Sequence, residues 1–166
     1  MSLDNIQLPP IVLHDLFKNS LVDLNTNETV ATITKANSMA VLGNNQKQIA
    51  IIVADEKTLY LPDDELNFLM GILGACKLSM VDVALVNFAK TRALTYTQVE
   101  EELKAETILL FGVEPSQLQL PLEFPHYQIQ KFNNQVYLSA PPLQMLAADR
   151  AEKTKLWNCL KQVFSI

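Results

Sequence analysis

The chain has 166 residues, enough for one domain of ordinary size with a core of its own. A hydrophobic fraction of 49% excludes a disordered chain, and a net charge of −5, from 18 acids and 13 bases, argues against a protein whose main task is gripping phosphates. Cys76 and Cys159 stand far apart with no CxxC, which reads as two reduced core thiols. No signal peptide and no long apolar run is visible, so a cytoplasmic protein is expected.

Residues 1–45 read as an N-terminal extension, with a helix and a possible partner-docking role, and 46–166 as an α/β domain. Pro9-Pro10 precedes an apolar pattern, Ile11, Leu13, Leu16, Phe17 and Leu21, that fits a short amphipathic helix. Thr29–Thr34 has strand composition, and Gly43-Asn44-Asn45 closes the section as a loop. Ile49–Ala54 is a continuous apolar run of the kind found in strands buried on both faces.

Pro62-Asp63-Asp64 opens a helix with an acid suited to the N-cap. Leu66, Leu69, Met70, Leu73 and Cys76 recur on it at helical period, and Phe68 and Ile72 mark a second face. Val81–Phe88 is the next strand. Thr97 with Glu100 forms a capping-box pattern ahead of a short helix, and Thr107–Phe111 is a third strand ended by Gly112. This alternation predicts a three-layer α/β/α architecture around a mostly parallel sheet of four to five strands.

Pro115–Pro125 is proline-punctuated loop. Tyr127–Phe132 and Val136–Ser139 are strand candidates around Asn133-Asn134, where a tight hairpin and a parallel last strand are both open. A short helix follows the last strand. Asp149 with Glu152 then forms a capping-box pattern for a helix whose stripe is Leu156, Trp157, Leu160, Val163 and Phe164.

Catalytic chemistry is hard to find. The two histidines, His14 and His126, stand beside no plausible nucleophile in the sequence. The four glycines form no phosphate cradle, and Gly71 and Gly74 fall inside a helix pattern where close packing explains them. Asp55 follows the first buried strand, where open α/β sheets place ligands, and is the one acid a catalytic reading could use. The plainer reading is a solvated loop acid. No metal or cofactor is expected, nor direct nucleic-acid binding, because the aromatics are not interleaved with Arg or Lys.

From Ser139 to Trp157 the chain resembles the psi subunit of bacterial DNA polymerase III holoenzyme. That family carries a Ser-Pro-containing turn after its last strand, then Leu-x-x-Leu-x-x-Asn, a basic residue and Leu-Trp. Leu143, Leu146, Lys153, Leu156 and Trp157 keep those offsets, and Asp149 replaces the Asn. The resemblance implies a uracil-DNA glycosylase-like fold without the activity. The water-activating loop of active glycosylases would fall at Ala54-Asp55-Glu56-Lys57, and their His-Pro-Ser-Pro type motif at Ser139-Ala140-Pro141-Pro142, where the histidine is absent. It further implies an adaptor that bridges a clamp-loader subunit to a chi-like subunit, with Leu13, Leu16 and Phe17 as docking anchors. Packing of that same segment on its own domain fits the sequence equally well.

Overall fold

The structure, a computed structural model, describes residues 39–91 and 93–166. Among these residues six strands form one mixed sheet: β1 Val41–Leu42, β2 Ile49–Val53, β3 Val83–Asn87, β4 Thr107–Phe111, β5 Ile129–Phe132 and β6 Gln135–Ala140. Their order is β1-β3-β2-β4-β6-β5. The inner strands β3, β2, β4 and β6 pair in parallel, and the edges β1 and β5 run antiparallel to their neighbours. The sheet thus exceeds the expected four to five strands. The extra edge is β1, two residues long and too short to carry a periodic signal. The Thr29–Thr34 strand and the helix around Ile11 lie outside the described residues.

Among the described residues four α-helices accompany the sheet: α1 Asp63–Ala75, α2 Tyr96–Gln98, α3 Leu143–Ala148 and α4 Arg150–Phe164. The brief α2 runs on into a π-helical turn, Val99–Leu103. One sheet face is built from alternate residues such as Ile51, Leu85, Leu109 and Leu138. It packs against Leu69 and Leu73 of α1, Leu143 and Leu146 of α3, and Leu156 and Leu160 of α4. The intervening residues Ala50, Ile52, Ala84, Val86 and Leu110 are equally sealed from water, which is why β2–β4 lack polar alternation. Each leucine side chain so buried contributes about 1.5–3 kcal/mol.

Several local expectations change. Pro62, not an aspartate, occupies the N-cap of α1, so Asp63, Asp64 and Glu65 lie in the first turn, where the helix dipole favours acids. The capping box at α2 is Thr95 with Gln98, not Thr97 with Glu100, because the helix starts one residue before Thr97. Asp149 caps α4 by accepting from the Ala151 N–H at 2.7 Å, but Glu152 does not complete a box. Its carboxylate turns to Tyr127 and Lys155 instead. Met70, placed on the buried stripe of α1 by period alone, is exposed.

At Asn133-Asn134 both open alternatives hold together. The two residues have φ of 48° and 65°, the pair of left-handed conformations that a two-residue I′ turn demands, and the hairpin they make delivers β6 in parallel to β4. Gly43 is forced by contact as well as conformation. Its φ is +106°, and a Cβ there would lie 2.2 Å from the Val83 carbonyl oxygen.

Candidate functional site

The C-terminal ends of β2 and β3 are bound together by one amide. Asn87, the last residue of β3, is 1% exposed. Its Oδ1 accepts from the Asp55 and Ala89 N–H groups at 3.0 and 3.1 Å, and its Nδ2 donates to the Asp55 and Thr58 carbonyls at 2.7 and 3.0 Å. Every hydrogen-bonding position of the side chain is in use. The Asp55 carboxylate accepts from the Thr58 hydroxyl and the Lys57 N–H. These bonds, the Thr58 one first, hold its pKa below the usual carboxylate value. Asp55 therefore closes the loop after β2.

A second constellation lies at the end of β6. Ser139, 1% exposed, has its Oγ 2.9 Å from Nδ1 of His126. They line an open cleft of about 490 Å³ together with Glu114, Glu123 and Phe124. This corrects the expectation that His126 stands beside no nucleophile. The turn that carries the histidine is tightly held. Tyr127 adopts φ +65°, its N–H donates to the Ser139 carbonyl at 2.8 Å, its hydroxyl donates to Glu152, and its carbonyl accepts from Cys159 Sγ at 3.2 Å. A non-glycine residue persists at positive φ where its surroundings over-determine it. Burial, then the Glu152 contact, pushes the Tyr127 hydroxyl pKa well above its ordinary value, while Lys155 and Tyr127 lower that of Glu152. The β5–β6 ladder ends at Ile129 opposite Leu138, and beyond it the left-handed Tyr127, bonded through its N–H to the Ser139 carbonyl, brings His126 alongside, so no local sequence pattern announced the pair.

The residues that carry the psi resemblance divide by environment. Leu143, Leu146 and Leu156 are 1%, 0% and 2% exposed and belong to the core. Lys153 and Trp157 do not. They line an open groove of about 410 Å³ between α1 and α4, opposite Phe68, Gly71 and Ile72. Trp157, expected within the core stripe, is only partly buried there. Gly71 is not explained by close packing either, since a Cβ at that position would meet nothing within 4 Å. The same is true of Gly74.

Cys76 and Cys159 are both free, and burial raises both thiol pKa values. Among the described residues no group of three His, Cys, Asp or Glu side chains is placed to hold a metal ion, and no helix is long and apolar enough to cross a membrane. The expected anchors Leu13, Leu16 and Phe17, and His14, lie outside the described residues. No protein-family model matches the chain, and a comparison with curated proteins finds no match. The fold and site define an α/β domain with a mixed six-stranded sheet, a strand-end cleft and an apolar groove between two helices.

Proposed function

We propose that this chain is a non-catalytic adaptor, psi-like, that joins a clamp-loader subunit to an accessory chi-like subunit in the cytoplasm. The observation that carries the reading is the division of the Leu143–Trp157 pattern: its leucines hold α3 and α4 onto the sheet, while Lys153 is exposed and Trp157 is half-buried, both lining the groove against α1. A scaffold maintained by one half of a pattern and a contact surface presented by the other half suit a protein whose work is holding partners. The parallel centre of the sheet, with helices packed on it, supports a glycosylase-like scaffold. The engagement of Asp55 in its own loop supports the absence of turnover. Co-purification with a clamp-loader collar tests the reading. Native protein is expected to be retained, and a Leu16→Asp, Phe17→Asp double variant to be lost.

One observation favours a second reading, a glycosylase-like enzyme acting on DNA bases. Ser139 stands where the glycosylase histidine motif would begin, and the structure brings His126 to its hydroxyl from another segment. Base excision on uracil-containing DNA, compared between native protein and His126→Ala, decides between the two. Excision that vanishes in the variant would establish the enzyme.

A further inference from the structure

We infer that the groove between α1 and α4 is a docking site for an acidic amphipathic segment of a partner protein; this names a contact surface for the adaptor proposed above and rests on that reading. Its walls are apolar. Phe68 and Ile72 come from α1, and Leu156 and Trp157 from α4. Gly71, an exposed residue of the lining, carries no side chain, and nothing else lies within 4 Å of the position that a Cβ would take. A helix-interior glycine ordinarily weakens a helix, so retaining open volume gives this one a use.

The charge at the rim selects the occupant. Lys153 holds its ammonium 5.3 Å from the Phe68 ring centre, and Lys161 holds its own 5.8 Å from the Trp157 ring centre. Among the described residues neither lysine has a carboxylate within 4.0 Å. The acids of α1 are confined to its first turn, ahead of Asn67, where the groove lining begins. On a chain of net charge −5, this is an apolar slot with Lys153 on its lining and Lys161 beside its Trp157 wall, neither with a carboxylate partner among the described residues. Its complement is a segment with aliphatic or aromatic anchors on one face and Glu or Asp beside them. The anchors displace water from the slot, and the acids meet the lysines.

Trp157 is the only tryptophan of the chain, so its fluorescence reports occupancy directly. The probe is an acetylated helical peptide with leucines at i, i+3, i+4 and i+7 and glutamates flanking that stripe, titrated into the full chain. A saturable shift of the Trp157 emission is expected. The same peptide with lysines in place of the glutamates is expected to bind at least about tenfold more weakly. Gly71→Leu is expected to abolish the shift while the unfolding midpoint stays the same or rises, because the side chain enters open space and a helix-interior glycine is removed. Lys153→Glu with Lys161→Glu is expected to reverse the preference between the two peptides. No saturable shift with the glutamate peptide, or equal binding of both peptides, would overturn the proposal. So would self-association of the native chain that Gly71→Leu disrupts, because a second copy would then be the occupant. Failure of the adaptor reading is separately visible: collar retention tests it through Leu16 and Phe17, which the groove variants leave intact.

Discussion

The Lys153 ammonium lies 5.3 Å from the centre of the Phe68 ring and so joins α4 to α1 across the mouth of an open groove. One helical turn away on the same helix, Leu156 is buried in the core. Residues of a single motif therefore answer to different pressures, and substitution should separate them. Leu146→Ala is expected to cost about 2–5 kcal/mol, because Leu146 is fully buried and its removal leaves a cavity. Lys153→Ala, losing an exposed cation–ring contact, is expected to cost at most about 1 kcal/mol. Urea unfolding of the two variants checks the contrast.

Asn87 ties the loop after β2 to the end of β3 through four hydrogen bonds. Asn87→Ala leaves two N–H groups and two carbonyls without that partner and is expected to cost about 2–4 kcal/mol. Amide hydrogen exchange of Asp55 should accelerate along with it, since the Asp55 N–H loses its acceptor.

Gly43→Ala should be disproportionately damaging for the addition of one methyl group. The new Cβ would meet the Val83 and Met80 carbonyl oxygens at 2.2 and 2.5 Å, and the backbone is already left-handed there. The expected loss is about 2–4 kcal/mol, read from the shift of the denaturant midpoint.

The fold's broad form was legible because burial on both sheet faces leaves a mark in composition. Ile49–Val53 and Thr107–Phe111 are apolar runs, and both are strands. The start of the last helix followed from Asp149, which caps it. What escaped was contact across sequence distance. Period alone put Trp157 in the core, but it lies half-buried on the wall of an open groove between α1 and α4, a placement that only the packing of the two helices decides. His126 and Ser139 are 13 residues apart and meet only through the hairpin register and the left-handed Tyr127. Val41–Leu42 gained strand status from β3 rather than from its own pattern.

Stability should fall at both ends of the pH scale. Asp55, Asp82 and Glu152 have folded pKa values held below the ordinary one by hydrogen bonds. Their contribution is present above about pH 4 and lost as pH falls through the folded values. Glu65, raised by burial, opposes that trend. The hydroxyls of half-buried Tyr127 and buried Tyr137 have pKa values pushed well above the ordinary tyrosine value, mainly through desolvation. Their contribution is complete below about pH 10 and is lost as pH rises beyond it. Urea midpoints measured across pH check both limbs. Tyr137→Phe, which also removes the hydrogen bond to Gln135, should flatten the alkaline decline.

Retention on a purified clamp-loader collar is the most direct measurement of the adaptor claim. The native chain should be retained stoichiometrically and release no base from uracil-containing DNA, and the Leu16→Asp, Phe17→Asp variant should flow through while unfolding at the native midpoint. A native chain that passes the collar unretained, or that excises uracil through His126, would contradict it.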